Sequence, residues 1–424
     1  MTWLLVGTFA GFLAMGVPIA FVIGLSAALF FLAQGRIPLT LVVQRLFAAT
    51  DSFQLMAIPL FILAGALMNA GGLSQRLVEL ARVLVGWLRG GLAQISIVTS
   101  IFFSGITGAA AAEAAAVGSI MMPAMERAGY RKAFGAAVVA GASLIGPIIP
   151  PSIPMILYGV ASGTSISALF LAGAVPGLLL GLAQMGAAHL IAVREGYPRE
   201  RRATLPEVGR ALRGGALAAL MPVIILGGIL GGIFTPTEAG AVAVLYALVV
   251  GGPVYRELRL RALPPILWET AMTTGVVMLM IGMTESLGWI MAAERIPQAL
   301  ASWLLSITAE PWLILLLINV TLLLIGIPLE PAPAILILTP VLLPLARQLG
   351  VDPVHFGVIM VLNLVIGLVT PPVGASLFVV SSIGRVPLVD LSRALVPFIA
   401  ASLAILLLVT YWPALSLWLP SLAR

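Results

Sequence analysis

Residues 146–152 read GPIIPPS, and 221 residues later residues 367–373 read GLVTPPV. Each Pro-Pro pair interrupts an apolar run. Proline has no amide hydrogen to donate and its ring clashes with the preceding turn. Two prolines together, four residues after a glycine, therefore predict a helix that unwinds. The same offset relates Pro123 to Pro344, Gly129 to Gly350 and Pro176 to Pro397, with no gap required. One proline match means little in a chain with 30 prolines and 44 glycines. A Pro-Pro pair and several further matches in one register mark an internal duplication, the expected signature of many transporter folds.

Outward from the breaks, the 424-residue chain is 61% hydrophobic and 9% charged, with a mean hydropathy of +1.15. Soluble domains carry about 25% charged residues, so water cannot be the solvent for most of this surface. Apolar runs long enough to cross a hydrocarbon core of about 30 Å recur. A backbone in lipid must satisfy its own hydrogen bonds, which favours helices, and the alternating pattern of a membrane barrel is absent. The predicted fold class is an all-α polytopic membrane protein of two inverted-topology repeats. Each repeat has a re-entrant helical hairpin and a Pro-Pro-broken transmembrane helix.

The chain has no cysteine, which excludes disulfides, thiol catalysis and cysteine metal sites. The only two histidines, His189 and His355, are far apart and argue against a histidine metal site. His189 reads as interfacial and His355 as a loop-end residue. No GxxxxGK[ST], GxSG or HExxH pattern occurs, so neither ATP-driven transport nor enzymatic activity is expected of this chain. The net charge of +6 resides in short arginine-bearing loops, which reads as positive-inside topology and not nucleic-acid binding. The start, MTWLLVGTFAG, has no basic n-region and reads as a retained segment.

Residues 1–54 are expected to form an N-terminal transmembrane and interfacial segment. Within it, residues 3–34 form one long tilted helix or two short ones around Gly16-Val17-Pro18. Residues 55–193 form the first repeat, with a hairpin at about 91–126 and a broken helix at about 133–160. Residues 194–213, with six arginines and three glutamates, form a basic connector. Residues 214–265 hold linking helices. Residues 266–424 form the second repeat, with a hairpin at about 311–346 and a broken helix at about 354–384. Charge tests the orientation. The loop after the first hairpin has Arg127, Arg131 and Lys132, whereas its counterpart has Arg347, Asp352 and His355. After the breaks the bias reverses, with no charge in the first repeat and Arg385 and Arg393 in the second. Opposite bias in matching loops implies opposite orientation. It places the 194–213 connector in the cytoplasm and the chain's C-terminus outside.

Unwound backbone at membrane depth frees carbonyls for a cation and turns helix N-termini toward anions. Gly146, Pro150, Pro151 and Ser152 in the first break, and Gly367, Thr370, Pro371 and Pro372 in the second, are the candidates, against a plain kink in each case. In the first hairpin, Ser104 and Thr107 offer hydroxyls, and Gly105 and Gly108 allow close backbone approach. The same small residues also suit helix packing. In the second hairpin, Gly326-Ile327-Pro328-Leu329-Glu330 sets a carboxylate between prolines in an apolar stretch, a functional candidate unless it is interfacial or ion-paired. Glu113, among alanines, is similar. Asn363 offers a side-chain oxygen or a packing hydrogen bond. Glu238, after Thr235-Pro236-Thr237, reads as a helix cap, and Glu285 has no reading.

Taken in order, GPIIPPSIPMILYG (146–159), SISALFLAGAVPG (165–177), GGIFTPTEAGAVAVLYA (231–247), PAPAILILTPVLLP (331–344) and GVDPVHFGVIMVLNLVIGLVTPPVGASLFV (350–379) resemble the large membrane subunit of tripartite ATP-independent periplasmic (TRAP) transporters. The resemblance covers essentially the whole chain. It implies an elevator-type carrier in the bacterial or archaeal cytoplasmic membrane that imports an organic acid anion with Na⁺ as the coupling ion and no other cofactor. Its implied partners are a small four-helix membrane subunit and a periplasmic substrate-binding protein. By motif, Ser104, Thr107, Gly146, Ile149 and Pro151 fall at the family's first sodium site, and Gly326, Gly367, Thr370 and Pro371 around the second. Glu330 falls at the family's acidic position. Where the family hairpin commonly has Ser-Gly-Ser, this chain has Thr107-Gly108-Ala109, which loses a hydroxyl at position 109. A stand-alone carboxylate transporter or cation/proton antiporter, with Glu330 and Glu113 carrying protons, is the alternative.

Overall fold

Both Pro-Pro pairs end one helix and precede another. In a computed structural model of the chain, Lys132–Ala142 and Ile153–Ser162 flank the first break, and Pro353–Gly367 and Ala375–Gly384 flank the second. The structure describes residues 2–35, 38, 40–308 and 310–422, without the side chains of residues 2, 105–107, 301, 304, 305 and 307. Among the described residues every regular element is helical. Among the described residues seven helices are long and apolar enough to cross a membrane by length and composition.

The helices start where the sequence supplies caps. Ser152 Oγ accepts from Met155 N at 3.2 Å to open Ile153–Ser162. Asp352 accepts from Val354 N at 2.7 Å, ahead of Pro353 at the first helical position, where the missing proline amide leaves no bond unmade. The first hairpin comprises Gly91–Thr107 and Ala110–Arg127, and the second comprises Pro311–Gly326 and Pro331–Gln348. Gly108 turns the first tip with φ +57°, a left-handed conformation open to glycine.

The two repeats pack reciprocally. The outer arm of the first hairpin, Ala110–Arg127, lies against Ala375–Gly384 of the second broken helix, while Pro331–Gln348 lies against Ile153–Ser162 of the first. Likewise Lys132–Ala142 packs on Leu388–Tyr411, and Pro353–Gly367 on Ile166–Arg194. These contacts come in matching pairs, as a pseudo-twofold relation produces. Around this body, Leu263–Ala293 packs on Ile19–Gln34, Thr40–Thr50 and Ala57–Ala70, and Pro236–Val249 packs on Ala57–Ala70.

An amphipathic arm, Leu73–Val85, leads from this scaffold into the first hairpin. Leu73, Leu77, Leu80 and Ala81 are buried, while Glu79 and Arg82 point outward, the pattern of a helix lying in a membrane interface. Arg76 pairs with Glu257 at 2.7 Å and sits 3.8 Å from the centre of the Tyr255 ring.

The structure resolves several of these expectations, some as stated and some otherwise. Residues 3–34 form two helices, Thr2–Ala14 and Ile19–Gln34, because Gly16 takes φ +75° and Pro18 precedes the second. The basic connector is helical from Leu205, since Thr204 and Glu207 close a capping box and start the span Leu205–Leu230 inside it. Its first part is pinned down: Tyr197 stacks on Tyr130 with ring centres 4.4 Å apart, Gly90 N donates to Pro198 O at 3.2 Å, and Glu200 N donates to Gly86 O at 3.0 Å. Burial pushes the Tyr130 phenol up to about 12. His355 is not a loop-end residue. It is 2% exposed in the first turn of Pro353–Gly367, with Nε2 3.3 Å from the Thr410 carbonyl. Glu285 pairs with Arg45 at 3.3 Å. Glu238 caps its helix, accepting from Thr235 N at 2.7 Å.

Candidate functional site

The tip of each hairpin meets the break of its own repeat. In the first repeat, a Cβ placed on Gly108 would come within 2.8 Å of the Pro151 carbonyl oxygen and 3.3 Å of Ile153 N. The tip backbone therefore lies directly on the Pro-Pro turn. In the second, a Cβ on Gly367 would strike the backbone of Gly326, with the Gly326 Cα at 2.8 Å. Glycine at these positions permits an approach that any side chain would prevent.

The first break is sealed. Residues 143–152 are all buried. Among the described residues, the carbonyls of Gly146, Ile149 and Pro151 accept no hydrogen bond, although Ile149 N donates to Ile145 O at 3.0 Å. Buried carbonyls without a donor are uncommon in proteins and supply the hard oxygens that a cation such as Na⁺ takes up. Ser104 is fully buried near the tip, and its hydroxyl donates to Ile101 O at 2.6 Å, leaving its lone pairs free. The surroundings of Gly105 and the side chain of Thr107 lie outside what the structure describes. Ser152 has a structural part: besides capping the next helix, its hydroxyl donates to Pro147 O. Pro150 and Pro151 share a cis peptide bond, as do Pro371 and Pro372.

Glu113, one turn beyond the tip, is 0% exposed, and neither carboxylate oxygen has a hydrogen-bond partner. A Cβ on Gly146 would collide with its Oε2, so the carboxylate rests on the break itself. The hydroxyls of Thr99 and Ser100, on the facing arm of the hairpin, are buried and unpartnered too. A buried carboxylate is tolerated only when something compensates it. From sequence Glu113 and Glu330 look alike, but only Glu113 is buried.

The second break is more open: Thr370 and Pro371 are half-buried, and Pro372 and Val373 are exposed. Thr370 Oγ1 donates to Ile366 O at 2.8 Å, and Ser376 N reaches back to Leu368 O at 3.1 Å. Glu330 precedes the outer arm at the tip of the second hairpin, is exposed, and forms no ion pair among the described residues. Asn363 is fully buried and donates to Asn319 O at 2.9 Å and Oδ1 at 2.8 Å. Asn319 in turn donates to Thr410 Oγ1 at 3.1 Å. Asn363 thus ties the second broken helix to its hairpin. Asn319 was not singled out from the sequence, and one asparagine in an apolar run gave little reason to do so.

A family model described as tripartite ATP-independent periplasmic transporter, DctM component, matches residues 6–415. The chain is 47% identical over 415 residues to the isethionate TRAP transporter permease protein DctMQ of Oleidesulfovibrio alaskensis, covering 98% of this chain and 65% of that relative. This chain thus spans somewhat less than two thirds of that relative's length. It is 42% identical over 421 residues to the sialic acid TRAP transporter large permease protein SiaM of Vibrio cholerae, with 99% of each covered. It is 43% identical over 399 residues to the C4-dicarboxylate TRAP transporter large permease protein DctM of Pseudomonas aeruginosa, covering 94% and 93%. In fold it is similar to the crystal structure of the Alcanivorax borkumensis YdaH transporter, with a TM-score of 0.61, 17% identity, and 88% and 87% of the two chains covered.

Proposed function

The chain belongs to the DctM family of tripartite ATP-independent periplasmic transporters, and on that premise we propose that it is the Na⁺-coupled permease that carries a small organic acid anion across the bacterial inner membrane. Sialic acid, a C4-dicarboxylate and isethionate stand in the names of its relatives, so the proposed cargo is a small acid of this kind (C4-dicarboxylate, 2-oxo acid, sugar acid or sialic acid). A periplasmic binding protein delivers it, and a small four-helix membrane subunit completes the transporter. The longer DctMQ relative, of which this chain covers 65%, supports a second membrane component beside the permease.

The observation that carries the Na⁺ reading is the seating of both hairpin tips on both Pro-Pro breaks. It brings Gly108 to the Pro151 carbonyl and Gly326 to Gly367, with undonated carbonyls and the unpartnered Glu113 carboxylate beside the first. In the proposed mechanism, Na⁺ neutralises these oxygens and locks each tip down. The hairpins and broken helices then move as one body against the surrounding scaffold, in an elevator motion about the amphipathic arm. Glu330, exposed at the second tip, faces the cargo path. Vesicles holding the complete complex test this: uptake should require an inward Na⁺ gradient, and equal uptake under a K⁺ gradient would refute the coupling.

A further inference from the structure

Apart from both breaks, a cavity of about 590 Å³ opens where the turn after the amphipathic arm meets the end of Ile166–Arg194 and the start of the connector. Trp87, Arg89, His189, Arg199, Arg201 and Arg202 line it. Arg201 is paired with Glu207, and Glu200, the one acid in the lining, is engaged by Arg82. Arg89, Arg199 and Arg202 are exposed and form no ion pair among the described residues. The Arg202 guanidinium stands 5.1 Å from the centre of the Trp87 ring. The walls are held in place by the backbone bonds of Gly90 to Pro198 and of Glu200 to Gly86. The positive charges therefore converge on a fixed frame.

We propose that this cavity seats the phosphate headgroup of an acidic phospholipid of the cytoplasmic leaflet. Three observations select a lipid over a soluble anion. The cavity lies at the end of a membrane-spanning helix, on the side that the charge distribution assigns to the cytoplasm. Trp87, whose Nε1 donates to Leu84 O at 3.0 Å, is 41% exposed, as an interfacial tryptophan is. Apolar side chains that an acyl chain would cover, Leu84, Leu190 and Val193, are exposed beside it in sequence. Arginine is the residue best shaped for bidentate phosphate contacts, and basic pockets between helices on the cytoplasmic side bind anionic headgroups. A lipid seated here would hold the turn between arm and hairpin at headgroup level.

The test measures lipid retention by native mass spectrometry and melting in neutral detergent. The purified chain is titrated with phosphatidylglycerol, with phosphatidylcholine, and with inorganic phosphate alone. Phosphatidylglycerol should be retained and should raise the melting temperature. Replacing Arg89, Arg199 and Arg202 together by Gln should weaken that binding at least about tenfold. The exposed single change Arg199→Gln should weaken it less, and covers the case in which the triple variant folds poorly. Gln at Arg256, Arg259 and Arg261, in the basic loop between Pro236–Val249 and Leu263–Ala293, should leave it unchanged. Equal retention of phosphatidylcholine, or undiminished binding by the triple variant, overturns the proposal. Equal stabilisation by inorganic phosphate alone assigns the cavity to a soluble anion and overturns the lipid.

Discussion

Replacing Gly367 by Ala probes the second site at its tightest contact. The new Cβ would meet the carbonyl group of Gly326 and approach its Cα to 2.8 Å. These are backbone atoms, so no side chain can swing away. The tip of the second hairpin must withdraw by about 1 Å to reach ordinary contact. Overpacking of this kind costs about 1–3 kcal/mol, which converts to a roughly 5- to 150-fold loss in the affinity of any ion that needs the tip closed. The assay is melting of the purified chain in Na⁺ against choline at constant ionic strength. An ion at 100 times its Kd stabilises by about 2.7 kcal/mol, and a tenfold weaker one by about 1.4 kcal/mol. The Na⁺-dependent shift in Gly367→Ala should therefore fall toward that of the first site alone. Gly186→Ala, in open space on a helix, should keep the full shift. An undiminished shift in Gly367→Ala would refute the assignment of Gly326 and Gly367 to a Na⁺ site.

Glu113→Gln keeps the shape but removes the unpartnered charge, so the Na⁺-dependent melting shift should shrink while stability in choline holds or rises; an identical Na⁺ titration would remove Glu113 from the site. Ser152→Ala deletes the cap of Ile153–Ser162 and should lower stability by about 0.5–2 kcal/mol, read as a lower melting temperature at any Na⁺ concentration; a change confined to Na⁺ would contradict its structural part. The Tyr130 phenol, raised by burial to about 12, contributes stability that is whole below about pH 10 and declines as pH rises through 12, because the unfolded chain releases its proton first. Melting of the wild type should therefore fall between pH 9 and pH 11 by more than that of Tyr130→Phe, and parallel curves would contradict it.

The Pro-Pro breaks were legible in the sequence because proline acts on the backbone wherever it falls, and the repeat register multiplied that signal. The hairpins were legible from short apolar arms around glycine. What escaped depends on the direction in which a side chain points. Glu113 and Glu330 look alike as isolated acids in apolar runs. Only the packing of Ala110–Arg127 against the first break turns Glu113 inward, while Glu330 stays at an open tip. The pairing of Arg45 with Glu285 joins residues 240 positions apart, beyond any local pattern. The helix start at Leu205 was within reach, since Thr204-Leu205-Pro206-Glu207 is a capping signature, but the density of arginines there masked it.

The unequal cover of the two breaks carries a kinetic consequence. The first is closed over by its own repeat and by the tip glycine, whereas Pro372 and Val373 leave the second uncovered by this chain. An ion resting at the second break could leave while the first hairpin stays shut, but an ion at the first would have to wait for that tip to lift. If both breaks hold Na⁺ as proposed, departure is sequential: the second break empties first, and the ion at the first is the last to leave.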